Sequence, residues 1–193
     1  MTHSRIRGAL AAAAAAALIG TGSAAMAGPS PAATAGATAK ACPVVYWGSL
    51  PKSNATMNTG PVENLRSGRH ACFDRIVIDL GGRPVGYSVR YVNRIVQPGS
   101  GQTMSVRGGA KLHITVNAPA YDELGDPTYL PKNRAEVVNV TGYQTLRQVR
   151  FLSSYEGYTD FGVGVRARLP MRVFRLDDGG TSRLVIDIAH RWS

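Results

Sequence analysis

The sequence has little of what enzymes and metalloproteins lean on. It holds two cysteines and four histidines, and twelve acids against twenty-two lysines and arginines. Neither a CxxC pair nor a Cys/His ligand spacing is present, which removes the common zinc sites. A Gly-x-Ser-x-Gly elbow and a His-Glu-x-x-His motif are both missing, so two large hydrolase classes have no foothold. No apolar run nears the ~20 residues a membrane-crossing helix needs. No segment keeps a helical period.

What is present begins with an export pattern. Arg5 and Arg7 precede an apolar stretch from Ala9 to Ile19, and Gly20 to Ser23 ends it. Ala25-Met26-Ala27 then supplies small residues where a signal peptidase reads. Residues 1–27 therefore read as a secretory signal cut between Ala27 and Gly28. The competing reading, a membrane anchor, fails on length. No cysteine follows the cut for lipid attachment, and Arg5-Ile6-Arg7 is not a twin arginine. Taking residues 1–27 from 193 leaves 166, enough for one domain with a tail. Residues 28–41 are Ala, Thr, Gly and Pro with one lysine, the composition of a disordered linker. Residues 42–193 are expected to form a single β-domain, secreted or extracellular, with a place at the cell wall.

The chain carries +10, and losing Arg5 and Arg7 leaves +8. Outside the cytoplasm such charge either draws anionic partners or only maintains solubility. Dispersed charge and the compartment argue against nucleic acid. No transmembrane segment, cofactor or metal is expected, and the protein is expected to be a monomer. An oxidising compartment makes Cys42–Cys72 the one possible bridge, closing a loop worth roughly 3–4 kcal/mol.

Alternation of apolar and polar residues recurs along the rest. It is clear at Arg75–Leu80, Val85–Tyr91, Leu112–Val116, Thr145–Leu152, Gly162–Arg166, Met171–Leu176 and Arg183–Ala189. Val137–Thr141 also reads as a strand, and Pro43–Leu50 as a short one. Pro51–Pro61 and Ala118–Arg134 read as loops, and Asp177 to Gly180 as a hairpin turn. About eight short, mostly antiparallel strands predict an all-β sandwich or a partly open barrel. One segment repeats by class: Arg75-Ile76-Val77-Ile78-Asp79-Leu80 and Arg183-Leu184-Val185-Ile186-Asp187-Ile188. Either buried aliphatic strands converge, or Arg75, Asp79, Arg183 and Asp187 pair crosswise on neighbouring strands. Aspartate is unfavourable inside a strand, so its double occurrence points to a structural role.

Three stretches are recognisable together. They are Gly68-Arg69-His70-Ala71-Cys72-Phe73-Asp74-Arg75, running on through Tyr87-Ser88-Val89-Arg90-Tyr91-Val92; Gly162-Val163-Gly164-Val165-Arg166 with Pro170-Met171-Arg172-Val173; and the closing Arg183 to His190. With these the chain resembles the AMIN-like domain of secreted actinobacterial proteins, over Val62 to Trp192. The resemblance implies a β-sandwich related to the AMIN modules of cell-wall amidases and secretins, which bind peptidoglycan and carry no catalysis. It defines no catalytic residue. The chain departs from that context, since a single β-domain is expected here with neither an amidase nor a secretin domain beside it. Cys72 is an addition within the motif.

Candidate chemistry is sparse. His70 precedes Asp74 by four residues and is expected to order the turn by a backbone or Asp74 hydrogen bond; a site shared with His190 is the catalytic alternative. His113 belongs to a polar strand face and is expected to be solvated. Asp122, Glu123 and Asp126 suit a solvated loop better than paired catalytic carboxylates or a calcium loop. Arg147, Arg150, Tyr155 and Tyr158 interleave cations with aromatic faces, as binding of a sugar or anionic polymer requires, though capping of a core-edge strand fits them equally. Tyr121, Tyr129 and Tyr143 also fall in or beside loops. The expected function is a non-catalytic module holding a cell-wall polymer or envelope protein. The alternative is a secreted inhibitor of an extracellular hydrolase, with Ala118–Arg134 as its reactive loop.

Overall fold

A computed structural model describes residues 42–57 and 60–192. The expected signal peptide lies outside these residues, as does the expected linker up to residue 41. Eleven strands and no helix occur among the described residues. They are β1 (Lys52–Asn54), β2 (Val62–Arg69), β3 (Phe73–Gly81), β4 (Tyr87–Val92), β5 (Ile95–Val96), β6 (Thr103–Met104), β7 (Ala110–Val116), β8 (Leu146–Tyr155), β9 (Tyr158–Val165), β10 (Met171–Asp177) and β11 (Thr181–Ala189).

Two antiparallel sheets make the body. One runs β1-β4-β7-β9-β8 and the other β10-β11-β3-β2, while β5 and β6 form a separate ribbon. No sheet closes on itself, so the architecture is a sandwich and not a barrel. The period of two explains the packing. Ile76, Ile78 and Leu80 of β3 and Leu184, Ile186 and Ile188 of β11 face Leu112, Ile114 and Val116 of β7 and Phe161, Val163 and Val165 of β9 in one core. Each such side chain contributes about 1.5–3 kcal/mol by leaving water.

The outer faces differ. Over the five-stranded sheet the arm around β5 and β6 lies flat, and Ile95, Val106 and Leu152 make a second small core. Gly162 and Gly164 make room for that arm. A Cβ at Gly164 would sit 1.6 Å from the Arg107 carbonyl oxygen, and one at Gly162 would sit 2.9 Å from Ile95. This explains the Gly-Val-Gly-Val alternation: valines enter the main core and glycines receive the arm.

Several strand expectations change. Val137–Thr141 is not a strand. Asn133 and Asn139 side chains accept the amides of Ala135 and Thr141, holding turns that compete with a ladder. Pro43–Leu50 is irregular, and the nearby strand is Lys52–Asn54 inside the expected loop. β2 is an added strand whose polar sequence hid it: it lies at a sheet edge and buries only Val62 and Leu65.

Cys42 and Cys72 are bonded. The bridge holds the entering segment against β3 and β10. There Met171 donates its amide to the Gly48 carbonyl at 2.8 Å, and Trp47 meets Phe73 edge-on at 5.9 Å.

Candidate functional site: the outer face of the four-stranded sheet

Among the described residues, no layer of strands overlies the second sheet's outer face. Alternation sends Phe73, Arg75, Val77 and Asp79 outward from β3, with Arg183, Val185 and Asp187 from β11. β10 adds Arg172 and Phe174, and β2 adds Arg66. Val77 and Val185 are nonetheless buried, at 6% and 2% exposure. Arginine stems and Leu176 lie over them around a shallow groove of 240 Å³, lined also by His70.

Asp187 organises this face. Its side chain is fully buried and holds two arginines. Arg75 donates from Nε to Oδ1 at 2.6 Å and from Nη2 to Oδ2 at 2.9 Å. Arg172 donates from Nε to Oδ2 at 2.8 Å. Both guanidinium groups are walled by aromatic rings. Arg172 lies 4.5 Å from the centre of Trp47 and 5.2 Å from that of Phe174; Arg75 lies 5.1 Å from that of Phe73. His70 stacks on the other part of this cluster, 4.4 Å from Phe73. The hydrogen bond to Asp187 also raises the Arg75 pKa, with desolvation opposing it.

The echo segments do not behave alike. Asp187 takes Arg75, its register partner on β3. Arg183 faces Asp79 in the same register, but its guanidinium goes to Asp178 in the hairpin turn. Asp79 instead receives Arg66 at 2.9 Å and Asn64 at 3.2 Å from β2. The nearer turn and the edge strand outcompete the cross-strand pair.

The other sequence candidates disperse. Arg147 donates to the carbonyls of Tyr143, Gln144 and Leu146, so it caps the entrance to β8. Arg150 lies opposite Gly162 under the arm, its Nε buried without a hydrogen-bond partner among the described residues. Tyr155 and Tyr158 are exposed at the far end of the same strand pair, eight positions on from Arg147 and so ~26 Å away. Tyr129 is part of the core edge, 6.0 Å from Phe151 and 6.2 Å from Phe161. Burial raises its phenol pKa to about 12. Tyr143 bonds Ser67 at 2.9 Å.

The histidines play separate parts. His70 donates its backbone amide to Phe73 O at 3.0 Å and does not bond Asp74. Asp74 is fully buried and fastens the last strand to β8. It accepts from the amides of Thr145 at 2.6 Å and Leu146 at 2.9 Å, and meets His190 Nε2 at 3.0 Å. This gives the Phe-Asp-Arg motif its physical sense: Asp74 ties the core ends and Arg75 builds the outer face. Thr145 Oγ1 bonds the Ala189 carbonyl and not the histidine, so the cluster is a clasp without an aligned nucleophile. The groove that His70 lines does not include His190. His113 is 14% exposed, beside Asp160 at 3.1 Å, and is not the solvated side chain expected. The described residues contain no cluster of three or more His, Cys, Asp or Glu able to hold a metal.

Sequence reading missed Trp47, Arg66, Arg172 and Phe174. The available signals were the Arg-x-Phe alternation at 172–174 and its counterpart Phe-x-Arg at 73–75. Neither reveals that β10 and β3 flank β11 in one sheet.

Comparison with curated proteins and with solved structures finds no match. Comparison with protein families matches the AMIN-like domain over residues 60–190. That span runs from just before β2 to the clasp histidine, and so takes in every described strand but β1, the Asp74 tie and the Asp187 arginine cluster without Trp47: the chain belongs to the AMIN-like domain family.

Proposed function

We propose that this protein is a non-catalytic module of the cell envelope that binds peptidoglycan or another anionic wall polymer through the outer face of β10-β11-β3-β2. One observation carries the reading. Buried Asp187 holds Arg75 and Arg172 upright between Trp47, Phe73 and Phe174. Each arginine has five N–H donors; Asp187 accepts two from Arg75 and one from Arg172, whose Nη2 also lies 2.7 Å from Oδ2. The rest are preset for carboxylate or phosphate, and the rings offer flat apolar surface to sugar C–H faces. Preorganisation lowers the ordering cost of binding. Family membership, the disulfide and the positive charge support an extracellular setting. The absence of an aligned nucleophile in the Asp74–His190 clasp supports a binding role over hydrolysis.

Cosedimentation with purified peptidoglycan tests the reading. The protein should pellet with the polymer at low salt and be released as salt rises, since exposed charge contacts are screened. Full recovery in the supernatant at low salt would sink it.

A further inference from the structure

The opposite end of the sandwich has a different character. There a groove of 450 Å³ is lined by Met57, Pro61, Pro119, Tyr121 and Gly157, with Asp122 and Glu123 at its side. Among the described residues, no lysine or arginine lines it. Four of the twelve acids, Asp122, Glu123, Asp126 and Glu156, stand around this end, and none forms an ion pair among the described residues. On a chain of +10 the charged residues lining this groove are both acids, while Arg175 is engaged nearby by Asn54 and Thr56.

Large apolar side chains are exposed at the same end: Leu124 at 88%, Tyr155 at 66%, Met57 at 59% and Tyr158 at 40%. Contiguous exposed apolar surface marks an interaction site more often than a lone exposed residue does. The tip that carries Leu124 is held in shape. Asp122 Oδ1 accepts the amides of Leu124 and Asp126, both at 2.9 Å, and the Asp122 amide bonds the Asp126 carbonyl at 2.9 Å. Tyr121 accepts the Gly157 amide through its hydroxyl at 3.2 Å, joining this tip to the β8–β9 turn. Leu124 therefore projects from a rigid acidic turn and makes no part of the core.

We propose that this end is a docking surface for a protein partner, and that the docking segment is a basic peptide with an apolar anchor. The anchor fills the groove between Tyr121, Pro119 and Met57, whose thioether adapts to varied shapes. Lysine or arginine beside it meets Asp122, Glu123 and Glu156. An anionic polymer is repelled here, so the surface stays free while the arginine face is occupied. Phe73 starts β3 at the arginine face and Gly81 ends it beside Pro61, eight residues or ~26 Å away. Both surfaces can be filled together, and the module then bridges polymer and protein.

Fluorescence anisotropy with a short labelled peptide, lysines flanking one tryptophan, tests this. Its twin with glutamates in place of lysines is the control. The basic peptide should bind saturably and the acidic twin should not. Glu123→Lys should weaken binding about ten-fold, and Leu124→Ser should weaken it by a comparable factor. Neither residue contributes to the core, so unchanged thermal unfolding confirms that each variant is folded. Both variants should still cosediment with peptidoglycan, which separates this proposal from the one above. Absence of binding by the basic peptide, equal binding by both variants and wild type, or capture only of a neutral chitooligosaccharide overturns it.

Discussion

Single side chains decide how this face is built. Asp187 is fully buried, and its ion-pair partners among the described residues are Arg75 and Arg172. Asp187→Ala leaves two cations together without their counter-charge. They are 27% and 42% exposed and can rehydrate in part, so the cost should be about 2 kcal/mol, below that of a fully buried pair. Urea unfolding measures it. Tyr129 gives the protein a signature in alkali. Its folded pKa is raised from 10.0 to about 12, so its proton is bound more tightly in the native state. The contribution is intact below pH 10 and is lost as pH rises through 12. Stability should therefore fall across that window, and Tyr129→Phe should flatten the fall. Denaturant midpoints at stepped pH read both; an unchanged slope in the variant contradicts the assignment.

At the level of elements, the turns and close contacts hold the testable strain. Between β8 and β9 the two turn residues, Glu156 and Gly157, have φ of 49° and 79°. Such hairpin turns favour Asn-Gly, since glutamate tolerates positive φ poorly. Glu156→Asn should stabilise by roughly 0.5–1 kcal/mol, seen as a higher melting temperature. Gly164→Ala should do the reverse. Its Cβ would meet backbone at Arg107, so the arm must lift, at a cost of roughly 3 kcal/mol.

These elements also show what sequence can tell. The strands with buried aliphatics at every second position were plain, because one face must be dry. β2 was hidden because an edge strand needs few apolar residues. Val137–Thr141 misled because Asn139 accepts the Thr141 amide within it and Asn133 holds the turn just before it. Cys42–Cys72 was legible from count and compartment alone. The binding face was not. Arg75 and Asp187 stood out as an echo, yet Trp47 and Arg172 join them only through the order β10-β11-β3, which no local pattern encodes. Arg147, Arg150, Tyr155 and Tyr158 look like a cluster in one dimension, and β8 spreads the first three along its length, with Tyr158 opposite Tyr155 at the start of β9.

In the whole molecule, the disulfide connects stability to the proposed role. It closes a loop between positions thirty apart, and opening it should cost roughly 3–4 kcal/mol. It also keeps Trp47 beside Arg172. The Cys42→Ser/Cys72→Ser variant should therefore lose polymer binding more than its residual stability explains, and cosedimentation well below its melting temperature separates the two effects. The central claim is that polymer lies on the arginine face and not at the tyrosine end. Cosedimentation with purified peptidoglycan at low salt, comparing Trp47→Ala/Arg172→Gln with Tyr155→Ser/Tyr158→Ser, tests it most directly. The account predicts that the first pair stays in the supernatant while the second pellets like wild type. Pelleting of the first pair with loss of the second contradicts it.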